Sequence, residues 1–227
     1  MTDEKGFSRS VAGPLERALV ELIQIDMSAG AVVVMMKEFE EDIAKLGWDV
    51  APCLFSVYRL LPPRELADEF SAIGVMASQM LQLKPLMLDW QPDWHPVEVV
   101  SWLAKRLKQD RKIATAVVKR DAENDPEHFE LFGWMLCNEA WSARTNEEEL
   151  EVPPSERPDR VETRVVTLID RAGYLYQLYR YRNTEGGEDT HELIMDFRDE
   201  GKEPVLQGRV PEAMIRLMDA TPSAELD

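Results

Sequence analysis

The chain lacks any long hydrophobic run. Its best candidate, Gly30 to Met36, is far shorter than the roughly 20 apolar residues a bilayer-spanning helix requires, so no membrane insertion by a helix is expected. Basic residues are also scarce: 26 Lys and Arg face 43 Asp and Glu, a net charge of −17. Such a chain repels phosphate backbones and anionic lipid, which disfavours direct nucleic-acid and membrane-surface partners. The only two cysteines, Cys53 and Cys137, make no C-x-x-C pair, and His95, His128 and His191 show no H-x-x-x-H spacing. Sequence-local zinc and redox motifs are thereby excluded. Neither G-x-G-x-x-G, nor G-x-x-x-x-G-K-[ST], nor G-x-S-x-G occurs. Phosphate-cradling loops and the hydrolase elbow are therefore absent, and no cofactor is expected. The opening Met1-Thr2-Asp3-Glu4-Lys5 has no apolar export core, which leads to the expectation of a cytoplasmic protein with reduced thiols.

What the chain does have is an ordinary globular balance. Of 227 residues, 44% are hydrophobic and 30% charged, enough apolar material to build a core and too much for wholesale disorder. The negative charge serves solubility, or attracts a basic partner protein.

Residues 1–13 are polar and read as a flexible tail, leaving 14–221 as a single domain with a possible subdivision near the charged, proline-containing stretch 145–161. Pro14 suits a helix start, and Leu15, Leu19, Leu22 and Ile23 recur at helical spacing to about Met27. Gly30 reads as a break. A second helix then carries Val33, Met36, Phe39, Ile43 and Leu46 on one stripe, with Glu38, Glu40, Glu41 and Asp42 on the other faces, and ends at Gly47. Leu54 to Leu61 reads as a strand, Pro63 to Leu81 as a helix, 82–95 as a loop, and Pro96 as the start of another helix. Ile113 to Lys119 reads as a short strand. Phe129 to Trp141 reads as a strand, with a helix as the alternative that periodicity leaves open. The alternating runs Thr163 to Asp170 and Tyr174 to Arg182, joined through Gly173, predict a hairpin. His191 to Arg198 adds a third strand, and a last helix begins at Pro211. Early helices followed by late hairpins argue for an α+β fold: a mainly antiparallel sheet with helices packed on one face, a C-terminal β-meander and a final helix.

Two segments stand out chemically. Asp89-Trp90-Gln91-Pro92-Asp93-Trp94-His95-Pro96 gathers indoles, carboxylates and an imidazole in a stiff loop. Trp90 and Trp94 can anchor a partner, and Asp93 with His95 can orient a proton or hold a metal; alternatively, both indoles pin the loop to the core. In the strand from Tyr174, the residues Tyr174, Tyr176, Leu178, Arg180 and Arg182 share one face. Such a face can stack bases, but against a charge of −17 the arginines are expected to pair with carboxylates or to snorkel at the sheet edge instead. The acidic run Glu147 to Glu151 reads as a solvated loop or a docking strip for a basic partner.

Leu46-Gly47-Trp48-Asp49 followed by Pro52 and Leu54-Phe55, and Pro158-Asp159-Arg160 with Glu162 and Arg164 leading to Asp170-Arg171-Ala172-Gly173, resemble signatures of an uncharacterised family of acidic cytoplasmic actinobacterial proteins. The resemblance extends to Gly208-Arg209-Val210-Pro211-Glu212-Ala213 and departs at Val50-Ala51 and in the tryptophan loop. It implies a cytoplasmic α+β protein and no assigned activity. The leading expectation is a non-enzymatic protein-binding or regulatory module using Trp90, Asp93, Trp94 and His95. The alternatives are a carboxylate- or metal-dependent enzyme built on the 89–96 loop, and an acidic nucleic-acid mimic.

Overall fold

The computed structural model describes residues 14–60, 81–86, 95–110, 112–114, 129–142, 154–183, 189–197, 206 and 208–222. The elements are helix α1 (Pro14–Ala44), strands β1 (Cys53–Leu60) and β2 (Leu81–Pro85), helix α2 (Pro96–Gln109), strands β3 (Phe129–Ser142), β4 (Val161–Asp170), β5 (Tyr174–Tyr181) and β6 (Thr190–Phe197), and helix α3 (Arg209–Ala220). Among the described residues six strands form one sheet in the order β2-β1-β3-β4-β5-β6, every pairing antiparallel. The α+β class, the antiparallel sheet, the meander β4-β5-β6 and the final helix match the sequence reading.

Because successive strand residues point to opposite faces, each strand feeds two cores. On one face Leu54, Tyr58, Trp134, Leu136, Ile169 and Leu175 meet the apolar sides of α2 and α3. Across the sheet, Val57, Met135, Val166, Leu168 and Leu178 meet α1 through Val32, Met35 and Met36. The helices therefore cover both faces, where one-face cover was expected. A sheet whose central strands are apolar on both sides exposes too much oil to leave either side wet.

Several local expectations are corrected by this packing. Gly30 does not break the first helix: α1 runs through it, and the glycine faces solvent. A single exposed glycine costs a helix only about 1 kcal/mol, which a long packed face offsets. The buried stripe of α1 runs through Val32, Met35, Met36 and Glu40, flanked by Phe39 and Ile43, while Leu46 lies outside it at 71% exposed. Phe39 meets Phe55 edge-on at 5.0 Å. Residues 81–85 are a strand rather than the end of a helix and a loop. Leu81 and Leu83 pack on the α1 core while Gln82 is exposed, the two-residue period of a half-buried strand, and Pro85 falls at its end on the sheet edge. Residues 112–114 are helical, not the start of a strand. The readings at 1–13, 63–80, 115–128 and 147–151 lie outside the described residues.

Two devices shape the sheet. Gly47, at φ +91°, lets the chain leave α1, its N–H donating to the Ala44 carbonyl at 3.0 Å. On β3, Phe132 is an extra residue: Val57 pairs with Gly133 and Tyr58 with Leu131, a bulge that bends the strand. Beside it β4 passes so close that a Cβ on Gly133 would lie 2.3 Å from the Ile169 carbonyl oxygen.

Candidate functional site

On the α1 face, strand register aligns four polar side chains in a row. Glu139 of β3 opposes Arg164 of β4, Arg164 opposes Arg180 of β5, and Arg180 opposes His191 of β6. Two arginines directly opposite each other repel. Glu40 resolves the conflict. It lies four residues beyond Met36, so α1 carries it down onto the sheet, where it is 1% exposed. Its carboxylate accepts from Arg180 Nη1 at 2.9 and 3.1 Å and from Arg164 Nη1 at 3.4 Å, with His191 Nε2 at 3.3 Å.

Arg164, also 1% exposed, is held from every side. It donates to Glu139 Oε1 at 2.8 and 3.2 Å and to the Gly47 carbonyl. Its guanidinium lies 4.9 Å from the centre of the Trp48 ring, and Arg182 lies 5.4 Å from the same ring. Arg180 reaches Asp189 at 3.0 Å, and Arg182 pairs with Glu162, which raises the Arg182 pKa. The expectation that Arg180 and Arg182 pair with carboxylates holds. Desolvated charges survive only when matched in this way. The network joins α1, the loop after it and four strands.

Below this row the sheet end carries exposed apolar surface. Trp141, 43% exposed, shares the face of Glu139, and its indole is covered by the Arg160 guanidinium at 4.6 Å. Leu46 protrudes from the loop that holds Trp48, while Val161, 37% exposed, lies on the other face of the sheet. Asp49, at φ +69°, donates its backbone N–H to Glu139 Oε2 at 2.8 Å and so fixes that loop against β3. Asp49, Glu139 and Glu162 bring oxygens within 4.8 Å of one another, hard donors of the kind that hold Ca²⁺ or Mg²⁺. Two of the three are already balanced, Glu139 by Arg164 and Glu162 by Arg182.

A second buried carboxylate closes the β4–β5 hairpin. Asp170 accepts from the Tyr174 N–H at 2.9 Å and from the Tyr176 hydroxyl at 3.3 Å. Burial pushes its pKa up to about 6 and pushes that of Tyr176 upward as well. Its geometry is that of a turn cap, with Gly173 at φ +96° completing the turn.

Of the residues singled out in the tryptophan loop, Trp90, Asp93 and Trp94 lie outside the described residues. His95 is the N-cap of α2, its Nδ1 accepting from the Val97 N–H at 3.2 Å. In the Pro158-Asp159-Arg160 segment, Asp159 pairs with Arg157, while Arg160 covers Trp141 and donates to the Ser155 carbonyl. Glu40, which the sequence reading places off the apolar stripe, is buried and is the centre of the network. Its spacing from Val32 and Met36, eight and four residues, is the signal that would have placed it on the buried stripe. No family model, curated protein or solved structure matches the chain.

Proposed function

We propose that this protein is a non-enzymatic binding module that docks a protein partner with a basic surface through the sheet end formed by Leu46, Trp48, Trp141 and Arg160. The observation that carries the reading is the pairing of indole with arginine there: Trp141 stays 43% exposed under Arg160, and the Trp48 ring carries the Arg164 and Arg182 guanidinium groups at 4.9 and 5.4 Å. Tryptophan and arginine dominate the energetic centres of protein interfaces, and rigid anchors lose little entropy on binding. The buried ion network supplies that rigidity, since Trp48 and the loop around it are fixed by Arg164 and Glu139. A net charge of −17 speeds encounter with a basic partner and repels acidic ones. The LGWD segment that resembles acidic cytoplasmic actinobacterial proteins supplies Leu46 and Trp48 of this surface, and we read the chain as a relative of that group, working in the cytoplasm.

The test has two stages. Chemical cross-linking and capture with the full chain identifies candidates, and each is then titrated as a purified pair by calorimetry. Trp141→Ala and Leu46→Glu are expected to weaken the pair at least tenfold while circular dichroism stays unchanged. Trp102→Ala, which alters an exposed indole on α2 across the sheet, leaves affinity intact. Equal affinity for wild type, Trp141→Ala and Leu46→Glu refutes the assignment.

A further inference from the structure

We propose that Cys53 and Cys137 form a peroxide-reactive dithiol that closes to a disulfide between β1 and β3. The two cysteines are 84 residues apart in sequence, yet they are direct partners in the antiparallel register and project into the same core beside α1. Direct cross-strand partners have Cα atoms about 4.5–5.5 Å apart, inside the range a disulfide spans. Directly opposed strand partners share a face, so the two thiols project from the same side of the sheet into one core, with no change of register needed to join them.

Their surroundings divide the labour. Cys53 is half-buried at the first position of β1, directly after the exposed Ala51 and half-buried Pro52, so a small oxidant reaches it from the strand end. Cys137 is 3% exposed and lies in the core beside α1. The Cys137 hydrogen bond lowers the Cys53 pKa, and the Arg164 guanidinium adds to this; burial acts the other way. The Cys137 thiol is pushed well up, first by its bond to Cys53 and then by burial. The difference in access makes Cys53 the attacking thiolate and Cys137 the resolving thiol.

The chemistry with hydrogen peroxide balances as follows. Cys53 thiolate attacks one peroxide oxygen, the O–O bond breaks, and hydroxide leaves as Cys53 becomes a sulfenic acid. Cys137 loses its proton to the hydroxide, giving water, and its sulfur attacks Cys53. The S–S bond forms, the sulfenic hydroxyl departs and takes a proton from solvent to become the second water. Two thiols lose two electrons, and one peroxide gains them.

The inference is independent of the docking surface, and its readout needs no partner. Full-length reduced protein is treated with hydrogen peroxide, quenched with an alkylating maleimide and weighed intact. The expected product is a monomer lighter by two hydrogens, with neither cysteine alkylated, a Cys53–Cys137 linked peptide on non-reducing digestion, and full recovery of both thiols with dithiothreitol. In Cys137→Ser the reaction stops at a sulfenic acid on Cys53 that dimedone captures. In Cys53→Ser, Cys137 stays alkylatable after unfolding. Thiols in wild type that remain free under peroxide sufficient to oxidise free cysteine overturn the proposal. So does an intermolecular disulfide, or sulfenic acid trapped first on Cys137.

Discussion

Replacing Glu40 with alanine tests whether the buried network, rather than apolar packing alone, holds α1 on the sheet. The substitution removes a carboxylate that is 1% exposed and engages Arg180 at 2.9 and 3.1 Å, Arg164 at 3.4 Å and His191 at 3.3 Å. Neither arginine is left wholly unpaired, because Arg164 keeps Glu139 at 2.8 Å and Arg180 keeps Asp189 at 3.0 Å. What returns is the repulsion between two guanidinium groups at directly opposed positions, one 1% and the other 17% exposed. Breaking a buried ion pair costs about 3–5 kcal/mol, and the surviving partners place this case near about 3 kcal/mol. With a urea slope of about 2–3 kcal/mol/M, the unfolding midpoint falls by roughly 1–1.5 M. Glu40→Gln, which keeps the shape and loses the charge, falls between the two. Asp42→Ala, which removes an exposed partner of Lys45, leaves the midpoint where it is. The assay is urea denaturation followed by tryptophan fluorescence and circular dichroism together. A Glu40→Ala midpoint within about 0.2 M of wild type refutes the network as the clamp on α1.

Asp170 makes stability depend on pH in the direction opposite to an ordinary salt-bridged carboxylate. Its pKa rises from 3.8 to about 6 on folding, so its contribution is fully present below about pH 4 and is lost as pH climbs through 6, a total of about 3 kcal/mol. Asp170→Asn is expected to remove that slope, and denaturation curves between pH 4 and 7 that keep it would sink the assignment. The two glycines Gly30 and Gly133 are expected to respond with opposite signs to alanine. Gly30→Ala adds a methyl that meets nothing within 4 Å on an exposed helix face and stabilises by about 1 kcal/mol, whereas Gly133→Ala drives its methyl against the Ile169 carbonyl at 2.3 Å and destabilises by about 3 kcal/mol or more. Thermal melts of the two variants read both signs, and equal shifts contradict the close strand approach.

The strands were legible because their information is local. Tyr174, Tyr176, Leu178, Arg180 and Arg182 alternate with their neighbours, and any chain with that pattern and a glycine turn before it pairs as a hairpin. The short edge strand at Leu81 was hidden by helical spacing upstream that ran into the same leucine. Gly30 misled because a residue's cost to a helix is a local number, while the gain from burying Val32, Met35 and Met36 is not. The candidate site was the least legible part: Trp48 and Trp141 lie on different elements, and the loop that carries Trp48 meets β3 only through the bond from Asp49 to Glu139.

Composition, alternation and turn chemistry therefore settled the class of fold, its hairpins and the acid excess, since each depends on neighbours a few residues apart. Tertiary structure alone decided that helices cover both faces, that Glu40 stands between two opposed arginines, and that two cysteines far apart in sequence face each other. Those outcomes rest on strand order and register, which emerge from the free energy of the whole packed sheet and leave no mark on any short stretch of chain.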